Sequence, residues 1–361
     1  MAIANMNKGI KKNHHNDFDI DGDYDLFIKI VEDMNKNAGI LMPAMNWGLE
    51  IGGHNGGDFF AGKKIAQYNG IQEIYENRYS TMRKMLDPWI GCVGLQKISP
   101  DTVNAYAGFI RAVDKLKIFD AYFDDSNNFL KDAENLLNTD LGTIIDLNLI
   151  NSFSKKDRLS ILEVGGGYGR LAEGFFEKFE KGKIKYLLLD SVPASLLYSY
   201  KYLTENFPDL KIGFYYHGDE LDFDLFDCFI MPSWHYQPNK SEFDVCINIQ
   251  SMQEMNQEHV DYFLNLFDKS VSPEGIIYLS NEKDYVFKGP WNYPSRWNKV
   301  LNIRTPRSWT RNSPTEIYCI NPTREAYDLA IDICYETQLN LYDEIVNLKH
   351  QLNIASYRVE N

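Results

Sequence analysis

The sequence predicts an α/β protein: a doubly wound, mostly parallel sheet with a helical part on its N-terminal side. Three observations carry this. From residue 156 onward, short apolar runs of strand length alternate with stretches of helical spacing. The first run, Leu159–Val164, passes through a glycine-rich turn into a helical pattern, as a strand–turn–helix joint does. Residues 23–150 show helical spacing and no strand-rich stretch.

Length and charge narrow the function classes. The chain has 361 residues, room for one large domain or two smaller ones. Its 37 basic and 51 acidic residues give a formal charge of −14, which disfavours nucleic acid and an anionic membrane surface as partners. A local exception is Arg296–Arg311, which carries Arg296, Lys299, Arg304, Arg307 and Arg311 and no acid. Five scattered cysteines (Cys92, Cys228, Cys246, Cys319, Cys334) form no CxxC pair, the pattern of buried thiols in a reduced, cytoplasmic protein. No signal peptide and no apolar run of membrane-spanning length is visible in the sequence.

Residues 1–22 are polar and read as a loose arm. Within 23–150, Leu26, Phe27, Ile30, Val31 and Met34 share one helical face, and 67–85 and 104–119 are further amphipathic helices. This part is open to three readings: a lid, a homodimer surface or a structural cap. Trp47, His54, Asn55 and Asp58 are its pocket candidates.

Residues 151–322 form the expected core. In LSILEVGGGYGRLAE, Leu159–Val164 is the first buried strand, and Gly165, Gly166, Gly167 and Gly169 let the backbone turn sharply and let a ligand come close. Leu171, Ala172, Phe175, Phe176 and Phe179 then share a helical face. The free N–H groups at that helix start favour an electron-rich ligand group. Lys185–Asp190 is the second strand, and Ala194–Phe207 its helix. Strand three has two candidates, 211–216 and 226–231; the second is preferred, because only ten residues separate Trp234 from Asp244, where the next strand begins. Phe243–Gln250 is strand four. Asn256 caps the helix Gln257–Ser270, Ser272–Gly275 is a turn, and Gly275–Ser280 is strand five. Residues 281–309 read as an irregular aromatic loop, Glu316–Ile320 as a closing strand, and 323–361 as a terminal helix or helix pair packing on the core.

The glycines are spaced E-x-G-x-G-x-G, with Glu163 two residues before Gly165. The dinucleotide pattern would place a glycine where Arg170 stands. An acid at the strand end repels a pyrophosphate and suits a ligand with an ammonium group. This spacing resembles motif I of class I S-adenosylmethionine (SAM)-dependent methyltransferases, whose sheet is Rossmann-like. A purely structural joint is the alternative.

The resemblance implies that Glu163, Gly165, Gly167 and Gly169 surround the cofactor. Asp190 and Ser191, at the tip of strand two, fall where an acid accepts the ribose hydroxyls; a helix-capping role is the alternative. Ser233 and Trp234 fall where adenine lies, with Trp234 either stacked on it or in the core. Gln250 and Ser251, after strand four, border the methyl group. Glu254 is the leading general base, His259 and Glu282 follow, and each of the first two has a helix role as its alternative. Asn281, Arg304 and Arg311 are acceptor-binding candidates. No metal-ligand spacing stands out; His217, Asp219 and His235 show no pattern.

The segments LLLDSVPASLLYSYKYL, FDVCINIQSMQEM and NIRTPRSWTRNSPTEIY resemble the bacterial sugar O-methyltransferase family found with polysaccharide and O-antigen genes. That resemblance covers roughly 150–320 and implies methyl transfer to a hydroxyl of a nucleotide-linked sugar or glycan acceptor. N-methylation of an aminosugar or small natural product, and a non-catalytic SAM-binding scaffold, stay open.

Overall fold

The computed structural model describes residues 20–41, 141–154, 156–238, 242–282, 291–305 and 313–337. Trp47, His54, Asn55, Asp58, Cys92 and Arg311 lie outside the described residues, as do 1–19.

The described chain forms α1 (Ile20–Asn37), α2 (Leu141–Phe153), β1 (Leu159–Val164), α3 (Arg170–Lys178), β2 (Ile184–Asp190), α4 (Pro193–Asn206), β3 (Ile212–Phe214), β4 (Cys228–Pro232), β5 (Phe243–Ile249), α5 (Gln257–Ser270), β6 (Val271–Ser280), β7 (Asn298–Thr305) and β8 (Ser313–Cys319). Residues 324–337 are helical. All eight strands join one sheet in the order β3-β4-β2-β1-β5-β6-β8-β7. Strands β1 to β6 pair in parallel, and β8 runs antiparallel to both β6 and β7. This is a Rossmann-like, doubly wound α/β sheet.

Burial explains why these residues are strands. Leu159, Ile161, Leu162 and Val164 are all buried, as are Tyr186 to Leu189 and Val245 to Ile247. Both sheet faces are therefore covered, which is why the central strands read as continuous apolar runs. Chain order places β2 on one side of β1 and β5 on the other. The crossovers leave β1 in opposite senses there, and a crevice opens at the carboxyl ends of β1, β2, β4 and β5.

Three expectations need correction. Both strand-three candidates are strands: Cys228–Pro232 lies next to β2, and the short Ile212–Phe214 pairs outside it. Residues 272–275 do not separate helix from strand. They belong to β6, where the register jumps from Phe243↔Val271 to Val245↔Ile276 and the extra residues bulge outward. Residues 281–309 are not free of regular structure, because Asn298–Thr305 is a strand. Only alternate side chains there turn inward, Leu301 and Thr305 being the buried ones, so its polar residues concealed it.

The described N-terminal helices pack on the helices that flank this sheet, α1 against α4 and α2 against α3. Phe27, Ile30 and Met34, predicted to share a face, are buried. Among the described residues, no helix is long and apolar enough to cross a membrane.

Candidate functional site

The turn after β1 is set by glycine. Gly165, Gly167 and Gly169 all have positive φ, at 74°, 57° and 89°. L-residues avoid that region at a cost of about 1–2 kcal/mol each. Their surroundings differ. A Cβ on Gly165 would sit 2.1 Å from the Ser251 Oγ, whereas a Cβ on Gly167 would meet no described residue within 4 Å. Gly165 is thus fixed by packing, while the open side of Gly167 faces space that a ligand can use.

Asp190 ends β2 with 5% of its surface exposed. One carboxylate oxygen accepts the Gly167 N–H at 2.9 Å and the other the Val192 N–H at 2.8 Å. Burial raises its pKa to about 6, against the pull of those backbone donors and that of Ser191. The carboxylate therefore ties the glycine turn to the start of α4. The Asp190 carbonyl in turn accepts the Ser233 N–H at 2.9 Å, which draws the loop after β4 to the same place.

The fourth corner comes from β5. Asn248, fully buried, donates to the Val164 carbonyl at 2.8 Å and to the Ser251 Oγ at 2.6 Å, and accepts the Met252 N–H at 3.1 Å. It pins the end of β5 to the end of β1. Sequence reasoning missed it, since a polar residue inside an apolar strand was its only signal. Gln250 follows with φ 56°, unusual for a non-glycine residue, and turns the chain into a short 3₁₀ helix, Met252–Glu254.

These pieces enclose one crevice. Gly165, Gly167, Asp190, Ser191, Ser233 and Ser251 line it from the glycine-turn side. Glu254, His259, Met255 and Phe263 line it from the α5 side, and Leu41, Val164, Val192 and Ser195 complete it. Eight of the sequence-predicted residues are thereby brought together. Leu41, Val164, Val192, Ser195, Met255 and Phe263 were not foreseen as lining residues.

The Glu254 carboxyl is pushed up to about 7 by burial alone. It is thus poised to exchange a proton near neutrality. His259 is 6% exposed, and its Nε2 meets the Ile40 carbonyl. A carbonyl only accepts, so Nε2 carries the hydrogen. Burial lowers the imidazole pKa, with the Ile40 carbonyl opposing. Its backbone N–H is taken by the Asn256 side chain at 2.9 Å, the predicted cap of α5.

The other predicted residues lie off the crevice lining. Glu163 is 4% exposed and accepts the Tyr186 hydroxyl at 2.7 Å; burial raises its pKa to about 7. Gly169 caps α3, where a Cβ would stand 3.0 Å from Leu203. The Trp234 indole N–H donates to Asp33 on α1 at 2.9 Å. Asn281, 2% exposed, donates to the Asn248 carbonyl at 3.2 Å, and the Glu282 N–H donates to the Gln253 side chain at 2.8 Å. Arg304 is on β7, exposed. Among the described residues, no group of His, Cys, Asp and Glu has the arrangement of a metal site.

One observation tests whether a polar organic ligand suits the crevice. Ser233, one of the residues lining the crevice, is 1% exposed, and its buried hydroxyl has no hydrogen-bond partner among the described residues. Leaving such a group unpaired costs about 1–3 kcal/mol, which a ligand would relieve. Together with the open side of Gly167, this fits a ligand carrying a hydrogen-bonding polar group.

No protein-family model matches this chain. No curated protein matches it either. Among solved structures, a SAM-dependent methyltransferase from Aquifex aeolicus is 15% identical, the match covering 48% of this chain and 89% of that one at a TM-score of 0.33. The 1,6-didemethyltoxoflavin-N1-methyltransferase of Burkholderia thailandensis, with 1,6-didemethyltoxoflavin and S-adenosylhomocysteine bound, is 12% identical over 61% of this chain and 89% of its own, with a TM-score of 0.34. Likenesses this slight add nothing to what the site's own geometry carries.

Proposed function

We propose that this chain is a SAM-dependent methyltransferase acting on a sugar hydroxyl. The observation that carries the reading is the pairing of two walls in one crevice. One wall offers the open glycine turn, Asp190 and the unpaired Ser233 hydroxyl; the other offers a carboxyl poised near neutrality, Glu254.

On this reading Gly165, Gly167, Asp190, Ser191 and Ser233 would hold the cofactor, which supplies an electrophilic methyl group on a sulfonium. The chain's own work is positioning and proton handling. Both Asp190 oxygens are already oriented by backbone N–H groups, so they need no rearrangement to accept ligand hydroxyls. Glu254 takes the proton from the acceptor hydroxyl, because an alcohol is a poor nucleophile until that proton is held. Met255, Phe263 and Leu41 supply apolar surface that excludes water from the same space. The sugar assignment rests on the resemblance of 150–320.

The test is incubation with isotopically labelled SAM and a panel of free sugars, nucleotide sugars and aminosugars, with products read by mass spectrometry. Label on a sugar oxygen is expected. Label on nitrogen alone would replace the O-methyl assignment with an N-methyl one, and no transfer to any acceptor would overturn both.

A further inference from the structure

The crevice is crossed by a short piece of the N-terminal region. At the end of α1 the Ala38 N–H closes on the Met34 carbonyl at 2.9 Å, and the Leu41 N–H on the Ala38 carbonyl at 2.8 Å, giving the 3₁₀ turn Gly39–Leu41. Leu41 is 5% exposed and forms part of the crevice wall. The turn is held from two sides. On one side, Asp33 accepts the Tyr216 hydroxyl at 2.6 Å and the Trp234 indole N–H at 2.9 Å, and lies 2.9 Å from His235 Nε2. That fixes α1 to the loop whose preceding residue, Ser233, lines the crevice. On the other side, the Ile40 carbonyl accepts the His259 Nε2–H from α5.

The two fastenings are unequal. The Asp33 side has several bonds, and Lys29 adds another to the Tyr216 carbonyl at 2.8 Å. On the α5 side, the bond from His259 is the one hydrogen bond to the turn among the described residues, Leu41 adds apolar packing, and the outward Ile40 side chain is 47% exposed. Between them stands Gly39, with φ 54° and no described residue within 4 Å of the place a Cβ would take. Among the described residues, the turn is thus held by several hydrogen bonds before Gly39 and by one after it.

We propose that Gly39–Leu41 is a strap over the crevice, with Gly39 as its hinge and the His259–Ile40 bond as its catch, and that its opening sets how fast the cofactor product leaves. This rests on the cofactor reading above. Release then requires that one hydrogen bond break and Leu41 withdraw.

Two measurements decide it. Stopped-flow release of S-adenosylhomocysteine should be about tenfold faster in His259→Phe, the loss of one buried hydrogen bond. It should return toward wild type in His259→Gln, which keeps an N–H donor. Leu41→Ala should also release faster, and it decides the matter if His259→Phe does not fold. Release at the wild-type rate in folded His259→Phe and Leu41→Ala overturns the strap. Amide exchange of the peptide 33–41 needs no ligand, and His259→Phe should speed it about tenfold. Unchanged exchange overturns the strap whatever the cofactor. Binding of S-adenosylhomocysteine to the wild type, followed by calorimetry, separates the two claims: no heat with accelerated exchange defeats the cofactor reading while the catch stands.

Discussion

Glu254→Gln removes the one carboxyl in the crevice that burial alone holds near neutrality. Its pKa of about 7 means that about a tenth of the molecules are ionised at pH 6 and nine-tenths at pH 8. If the ionised form takes the acceptor proton, kcat/KM rises about tenfold between those values and then levels off. A bound sulfonium favours the ionised form, so the midpoint at saturating SAM falls below that of the free enzyme. The glutamine variant is nearly isosteric but cannot take the proton. Its turnover should drop by about 10²–10⁴, with the rise through neutrality lost and affinity for S-adenosylhomocysteine, which lacks the sulfonium charge, kept. The assay is initial rate against pH at fixed SAM, with the acceptor found by the panel above. A variant that turns over at the wild-type rate with the wild-type profile would refute the role of Glu254.

The two glycines should separate folding from binding. Gly167→Ala should cost about 1–2 kcal/mol of backbone strain and leave the fold intact. It should also weaken S-adenosylhomocysteine binding at least tenfold, since the methyl takes ligand space; thermal melting and titration read the two effects, and undiminished affinity would contradict it. Gly165→Ala, whose methyl collides with Ser251, should melt well below Gly167→Ala. Glu163→Gln tests a buried acid. The folded-state pKa of about 7 lies above the usual 4.5, so the folded form binds the extra proton and native stability falls as pH rises between those values. Glutamine avoids that loss, so the variant should gain on wild type at pH 8, by up to about 3 kcal/mol, with the gain shrinking toward pH 5. Denaturant melts at both pH values check this, and equal gains at both would sink it. Asp33→Ala leaves the Tyr216 and Trp234 donors without their acceptor, and should cost about 1–3 kcal/mol. Burial raises the Asp33 pKa, but the bonds from Tyr216, His235, Asn37 and Trp234 outweigh it and leave the pKa lowered. Wild-type stability from this cluster is therefore present above the unfolded carboxyl pKa and fades as pH falls through the folded one. Urea melts from pH 7 to 3 should show the variant's deficit narrowing.

What could be read in the sequence was local. The β1 run, the glycine turn and the capped α5 are each specified by neighbours in the chain, and Asn256 binds the N–H three residues on, as capping chemistry requires. The doubly wound order followed from strand and helix alternation. Residues Asn298–Thr305 hid because a strand with few buried side chains resembles a loop in composition. In the site, Gly167, Asp190, Ser233 and Glu254 were legible because they stand at strand ends, where such sheets place their crevice. Leu41 was not, because it is more than 120 residues from the glycine turn and reaches the crevice only through the packing of α1. Glu163 shows the limit of reading by spacing. Strand side chains alternate, and the buried environment that puts Glu163 on the Tyr186 hydroxyl depends on β2.

The most direct test of the central claim is a calorimetric titration of folded wild-type protein with S-adenosylhomocysteine. Saturable heat with one site per chain, with affinity at least tenfold weaker in Gly167→Ala, is the predicted result. A flat titration with protein whose circular dichroism and melting are native would contradict the account.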